Sequence, residues 1–124
     1  RDLHFAPRSL FKFDAFAGKA HDAGAPIGPT IEPAEFVGDP QQLRVQLSVN
    51  GDKKQDGNTN DMVYDCAKII HHLSRIVTLE PGDVIMTGTP EGTGIESETF
   101  LKIGDKISAT IDKLGTLDVE VVPT

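Results

Sequence analysis

The sequence predicts a β-rich α+β unit with one main amphipathic helix, and three observations carry that expectation. Residues 43–49 alternate apolar and polar and then run into Asn50-Gly51. Residues 61–76 switch to apolar spacings of three and four. Residues 107–111 and 117–122 are two further β-forming runs, separated by a turn at Leu114-Gly115.

Taken in order, residues 1–30 carry Pro7, Gly18, Gly24, Pro26, Gly28 and Pro29, with Phe5, Phe11, Phe13 and Phe16 between them. Such punctuation forbids a long helix, and the aromatic content is too high for a flexible linker. An ordered loop held by its phenylalanines is expected. Leu43, Val45, Leu47 and Val49 lie on one face of a half-buried strand. Asn-Gly is the dipeptide that best tolerates the positive φ angles of a tight hairpin, so a return strand over residues 53–55 follows.

In the next segment Met62, Cys66, Ile69, Ile70, Leu73 and Ile76 line one helical face. Asn60 or Asp61 is the expected N-cap, because a short side-chain oxygen can accept from a free backbone N–H there. Lys68, His71, His72 and Arg75 fall towards the C-terminal end, where positive charge suits the helix dipole. A turn over residues 78–83, a short strand over residues 84–86 and a glycine- and threonine-rich loop over residues 87–94 complete the reading.

Composition narrows the function. The 124 residues carry a formal net charge of -7 with scattered Lys and Arg. Phosphate neutralisation needs clustered cations, so nucleic acid is not an expected partner. One cysteine, Cys66, excludes an intrachain disulfide and suits a reducing, cytoplasmic setting. No apolar run approaches the roughly 18 residues of a membrane span. The chain begins at Arg1 without Met or a signal peptide, which leads us to expect part of a longer polypeptide.

Chemistry is concentrated in Gly82-Asp83-Val84-Ile85-Met86-Thr87-Gly88-Thr89-Pro90-Glu91-Gly92-Thr93-Gly94. Its glycines let backbone N–H groups approach a ligand, and adjacent N–H groups can form a nest for a carboxylate or an oxyanion. The other reading is a tight turn whose glycines serve geometry alone. His71 and His72 are adjacent and so point apart, as a solvated pair would. Cys66 lies on the apolar stripe with no neighbouring base and reads as a small core residue.

The stretch from Leu79 through Pro90, followed by Gly92 and Gly94, resembles the C-terminal signature of the fumarylacetoacetate hydrolase family. Val49-Asn50-Gly51, Gln55-Asp56, Asn58-Thr59, Leu73-Ser74-Arg75, Leu101 to Asp105 and Leu114 to Leu117 are similar to family segments in the same order. So are Arg1-Asp2-Leu3, Gly18-Lys19, Asp22 and Pro26-Ile27-Gly28-Pro29. The resemblance implies that residues 1–124 are the C-terminal part of a single catalytic domain of mixed β-sandwich or roll type.

It further implies a homodimeric enzyme using Mg2+, or another divalent cation such as Mn2+ or Ca2+, whose ligands are expected N-terminal to this chain. The substrate would be a small 2-oxo acid or acylpyruvate, and the outcome hydrolysis, isomerisation or decarboxylation, as in aromatic-acid breakdown. Lys19 matches the family's active-site lysine. Thr89 matches a hydroxyl that contacts the substrate carboxylate, with Gly88 allowing close approach. Arg1 matches an arginine that binds the anionic substrate, and His4 stands where the family commonly has Gln. The chain alone is expected to be inactive. The alternative is a non-catalytic β-rich scaffold or small-molecule-binding module.

Overall fold

The computed structural model describes residue 20, residues 22–28 and residues 30–123. Arg1, His4, Lys19 and the four phenylalanines of the expected N-terminal loop lie outside them.

Strand β1 (Arg44–Val49) follows the alternating run, and β2 (Asp52–Asn58) returns antiparallel to it. The two residues between them, Asn50 and Gly51, have φ of 54° and 86°. Both lie in the left-handed region demanded by a two-residue turn whose twist matches that of the strands. The return strand is longer than the expected 53–55, because its pairing continues to Arg44 opposite Asn58. Between Leu47 and Ser48 the register shifts: Leu47 faces Gln55 and Ser48 faces Lys53. Lys54 is therefore the extra residue of a β-bulge, a device that bends a strand and re-aims its side chains.

Strands β3 (Lys106–Ile111) and β4 (Gly115–Glu120) form the second hairpin, as the two late β-forming runs predict. β3 pairs antiparallel with β1, giving one sheet in the order β2-β1-β3-β4 with β2 at an edge. The Asn50 side chain links the hairpins. Its amide donates to Asp105 Oδ1 at 2.9 Å, and its carbonyl oxygen accepts from the Lys106 backbone N–H at 2.9 Å.

A short helical turn, α1 (Ala34–Val37), precedes the sheet. The Lys113 ammonium donates to its last carbonyl, on Val37, at 2.6 Å. Val37, at the end of α1, and Leu43, just before β1, are the buried hydrophobic residues among those described.

The main helix, α2 (Cys66–Ser74), starts later than residue 61. Asp65, and neither Asn60 nor Asp61, is its N-cap: the Asp65 carboxylate accepts from the Lys68 backbone N–H at 2.7 Å. The cause is tertiary. The β2 ladder runs to Asn58, and Thr59 is then held by Leu43 through a backbone bond of 2.9 Å and a side-chain bond of 3.0 Å. Residues 59–61 form a lone 3-10 turn under an Asn58 cap, and the chain must clear the sheet before a helix can begin. Gln41 bridges the gap, donating to the Thr59 carbonyl and accepting from the Cys66 backbone N–H, each at 2.9 Å. Cys66, Ile69 and Leu73 are half-buried, as the apolar stripe suggests, while His71 and His72 are exposed in the last turn.

Residues 84–86 are not a strand. Val84 is 66% and Met86 79% exposed, and among the described residues no strand pairs with them. An apolar run supplies β propensity, but a strand also needs a ladder to satisfy its backbone. The class is nonetheless the expected one: a β-rich α+β fold with one principal helix. Among the described residues no helix is long and apolar enough to cross a membrane.

Candidate functional site

The glycine- and threonine-rich loop lies against β2, an edge strand of the sheet. Sheet edges present unpaired backbone groups, and covering one with a loop is a common way to protect it. Here the covering segment is also the one whose composition suits an anion.

Three contacts seat it. Gln55, on β2 beside the bulge, is only 8% exposed. Its amide nitrogen lies 2.9 Å from Thr89 Oγ1, 2.8 Å from the Pro90 carbonyl and 3.1 Å from the Glu91 carbonyl. Pro90 packs on Gly57, where an added Cβ would come within 2.7 Å of the proline ring. Gly92, at φ of 89°, lies so close to the Lys54 carbonyl oxygen that a Cβ would overlap it. The bulge at Lys54 and the glycine at 92 are thus two halves of one close backbone approach.

The far side of the loop is closed by Glu96. Its carboxylate accepts from the Gly92 backbone N–H at 2.9 Å and from the Thr93 hydroxyl at 3.0 Å. Those bonds, the Gly92 one foremost, hold the Glu96 carboxyl below its ordinary value and keep it ionised. At the near side, Glu80 and Asp83 close a turn: the Asp83 N–H donates to the Glu80 carbonyl at 3.0 Å, and the Asp83 carboxylate accepts from the Glu80 N–H at 2.8 Å.

Between these anchors Gly88 and Thr89 are exposed. Gly88 has φ of 106°, and the space on its Cβ side is open to 4 Å. With the loop anchored at Gly92 and Gly88 unobstructed, a ligand atom can approach the backbone at Gly88.

A charged cluster lies along the same edge. Arg44 donates through Nε and Nη2 to both Asp56 carboxylate oxygens at 2.8 Å, and Lys53 adds a bond of 2.7 Å. The Arg44 hydrogen bonds, then that of Lys53, hold the Asp56 carboxyl well below the usual carboxylate range. A shallow groove of ≈ 300 Å³ runs between this cluster and Glu91, Gly92 and Glu96. It carries charges of both signs, and its Lys53 is already paired with Asp56.

Of the residues singled out from sequence, Gly88 and Thr89 are adjacent in an exposed, anchored turn. Arg1, His4 and Lys19 lie outside the described residues. Sequence reasoning placed Gln55 inside a segment similar to a family pattern but assigned it no role. Its importance depends on the partner loop 34 residues away, and no local pattern announces that. Among the described residues no group of three or more His, Cys, Asp or Glu is arranged to hold a metal ion. These residues by themselves do not fit a divalent cation.

Comparison with known proteins gives a consistent result. The family model described as Fumarylacetoacetate (FAA) hydrolase C-terminal matches residues 1–122. The chain is 44% identical over 102 residues to 2,4-didehydro-3-deoxy-L-rhamnonate hydrolase of Sphingomonas sp. (strain SKA58), covering 80% of this chain and 36% of that protein. It is 41% identical over 108 residues to oxaloacetate tautomerase YisK of Bacillus subtilis (strain 168), covering 86% and 36%. Among solved structures, maleylpyruvate hydrolase from Sphingobium sp. SYK-6 in complex with manganese(II) ion and pyruvate superposes with a TM-score of 0.73 at 44% identity. That match covers 78% of this chain and 35% of the other. The chain thus spans about a third of the length of the curated relatives it matches.

Proposed function

This chain belongs to the fumarylacetoacetate hydrolase family, and from that premise we propose that it supplies the carboxylate-binding side of an active site for small 2-oxo acids or acylpyruvates. The relatives include a hydrolase and an oxaloacetate tautomerase, and the maleylpyruvate hydrolase structure contains pyruvate with manganese. The observation that carries the reading is the exposed Gly88–Thr89 turn, held by Gln55 and Gly92 yet open on its ligand side.

The chemistry follows from the residues. Every substrate of the proposed class carries a carboxylate next to a carbonyl. A hydroxyl on a rigid loop donates to such an anion without reorganising, and preorganisation is what makes a donor effective as charge develops. Thr89 supplies that hydroxyl, and Gly88 keeps the approach free of a side chain. Lys19 supplies an ammonium for the enolate oxygen, and Arg1 and His4 add donors for the anionic substrate. A divalent cation, Mg2+ or Mn2+, is held by residues other than the described ones. The complete protein is a homodimer, and its reaction is carbon–carbon cleavage, decarboxylation or tautomerisation of the 2-oxo acid.

The test is Thr89→Val in the complete protein that carries this chain. A hydrogen bond to a charged group contributes about 1.5–3 kcal/mol, so competitive inhibition by pyruvate should weaken by about tenfold or more. Unchanged inhibition would remove Thr89 from the site. The 124-residue chain by itself should show no turnover of an acylpyruvate or oxaloacetate. Retained pyruvate binding by an inactive complete protein would instead favour the small-molecule-binding module.

A further inference from the structure

We infer that Gln55 is a positioning residue which commits the Thr89 hydroxyl to act as a hydrogen-bond donor towards the bound anion. The inference rests on the reading of Thr89 given above and adds to it the residue that sets the direction of its proton.

A threonine hydroxyl can donate or accept, and its rotor is ordinarily free to choose. Near an anion only donation helps. Acceptance from a neighbouring N–H leaves the hydrogen for the ligand, whereas donation to a neighbouring acceptor spends it. The surroundings of Thr89 decide between the two. The side-chain atom 2.9 Å from Thr89 Oγ1 is the Gln55 amide nitrogen. That assignment does not depend on the usual ambiguity of an amide flip. The same nitrogen faces the Pro90 carbonyl at 2.8 Å and the Glu91 carbonyl at 3.1 Å. Carbonyl oxygens only accept, so the amide oxygen in that position would set like partial charges against each other at a part-buried site. The nitrogen must face them.

An amide nitrogen has no lone pair available to accept, so Thr89 Oγ1 is the acceptor in this pair. The Gln55 nitrogen offers two hydrogens to three oxygens, which requires one to be shared. No division lets Thr89 donate to that nitrogen. Among the described residues no acceptor takes the Thr89 hydroxyl hydrogen, and Thr89 is exposed. Its O–H therefore points towards the open side of the turn.

Burial makes the arrangement stiff. Gln55 is 8% exposed and sits on β2, paired with Leu47 of β1. The bonds to Pro90 and Glu91 fix the loop, and the bond to Thr89 fixes the polarity of the site.

The experiment is a double-mutant cycle in the complete protein, reading the dissociation constant of pyruvate in the presence of Mn2+ for Gln55→Leu, Thr89→Val and the double variant. Gln55→Leu should weaken pyruvate about tenfold in the wild-type background and by less than about twofold in the Thr89→Val background. Equal weakening in both backgrounds would overturn the inference, since Gln55 would then act independently of Thr89. Unchanged pyruvate affinity in Thr89→Val alone would overturn the parent reading and this one with it.

If Gln55→Leu does not fold, Gln55→Glu gives the answer through a pH profile. A buried carboxyl facing three oxygens has a raised pKa. Its neutral form regains one O–H to donate, and its ionised form has none. Pyruvate affinity relative to wild type should therefore recover as pH falls in Gln55→Glu. It should not recover in Gln55→Glu/Thr89→Val. A flat ratio in the single variant would overturn the inference.

Discussion

Gly88 and Gly92 are four positions apart in one loop, and different forces hold them. Both have positive φ, but only Gly92 touches another backbone, the Lys54 carbonyl of the bulged strand. Gly88→Ala should cost about 1–3 kcal/mol of stability, the strain of an L side chain in that region. Gly92→Ala adds a steric overlap and should cost about 2–5 kcal/mol. Thermal unfolding of the two variants checks the order. An equal or smaller shift for Gly92→Ala would mean that the loop does not rest on β2. Thr89 and the glycines were legible from the Thr-Gly-Thr-Pro run. Gln55 was not, because an interior polar residue in a strand acquires meaning only from what faces it across the fold.

The hairpins show how far local chemistry reaches. Alternation over residues 43–49 and Asn50-Gly51 together specify β1, its turn and the presence of a return strand, while the length of β2 and its bulge go beyond them. Asn50 does more than turn the chain: it joins the first hairpin to Asp105 and Lys106. Asn50→Ala should therefore destabilise the sheet by about 1.5–3 kcal/mol, combining two lost hydrogen bonds with backbone strain. Asn50→Gly keeps the turn and should cost less. Urea unfolding of both variants separates the two contributions, and equal losses would show that the strain is negligible. The same local signals misplaced the start of α2, because Asn60 and Asp61 are good caps in isolation. They made a strand of residues 84–86 for a similar reason: propensity was read where a partner was needed.

Taken whole, the described residues bury few large apolar side chains. Val63, Tyr64, Ile70, Ile76, Val84 and Met86 are all exposed, while the buried hydrophobic set is Val37 and Leu43. Apolar surface on this scale promotes association. The isolated chain should bind a hydrophobic dye and self-associate in sizing experiments. A monodisperse monomer that leaves the dye dark would contradict that expectation.

The strands of the two hairpins, the turn at Asn50-Gly51 and the character of the Gly/Thr loop are settled by the sequence alone, because period and turn geometry are energies between near neighbours. Where the helix starts, whether an apolar run joins a sheet, and which buried amide holds the Thr89 hydroxyl are settled only in the folded chain. Those outcomes depend on the hydrogen-bond partners that distant segments bring, and the energy of an unpaired buried group outweighs any local preference.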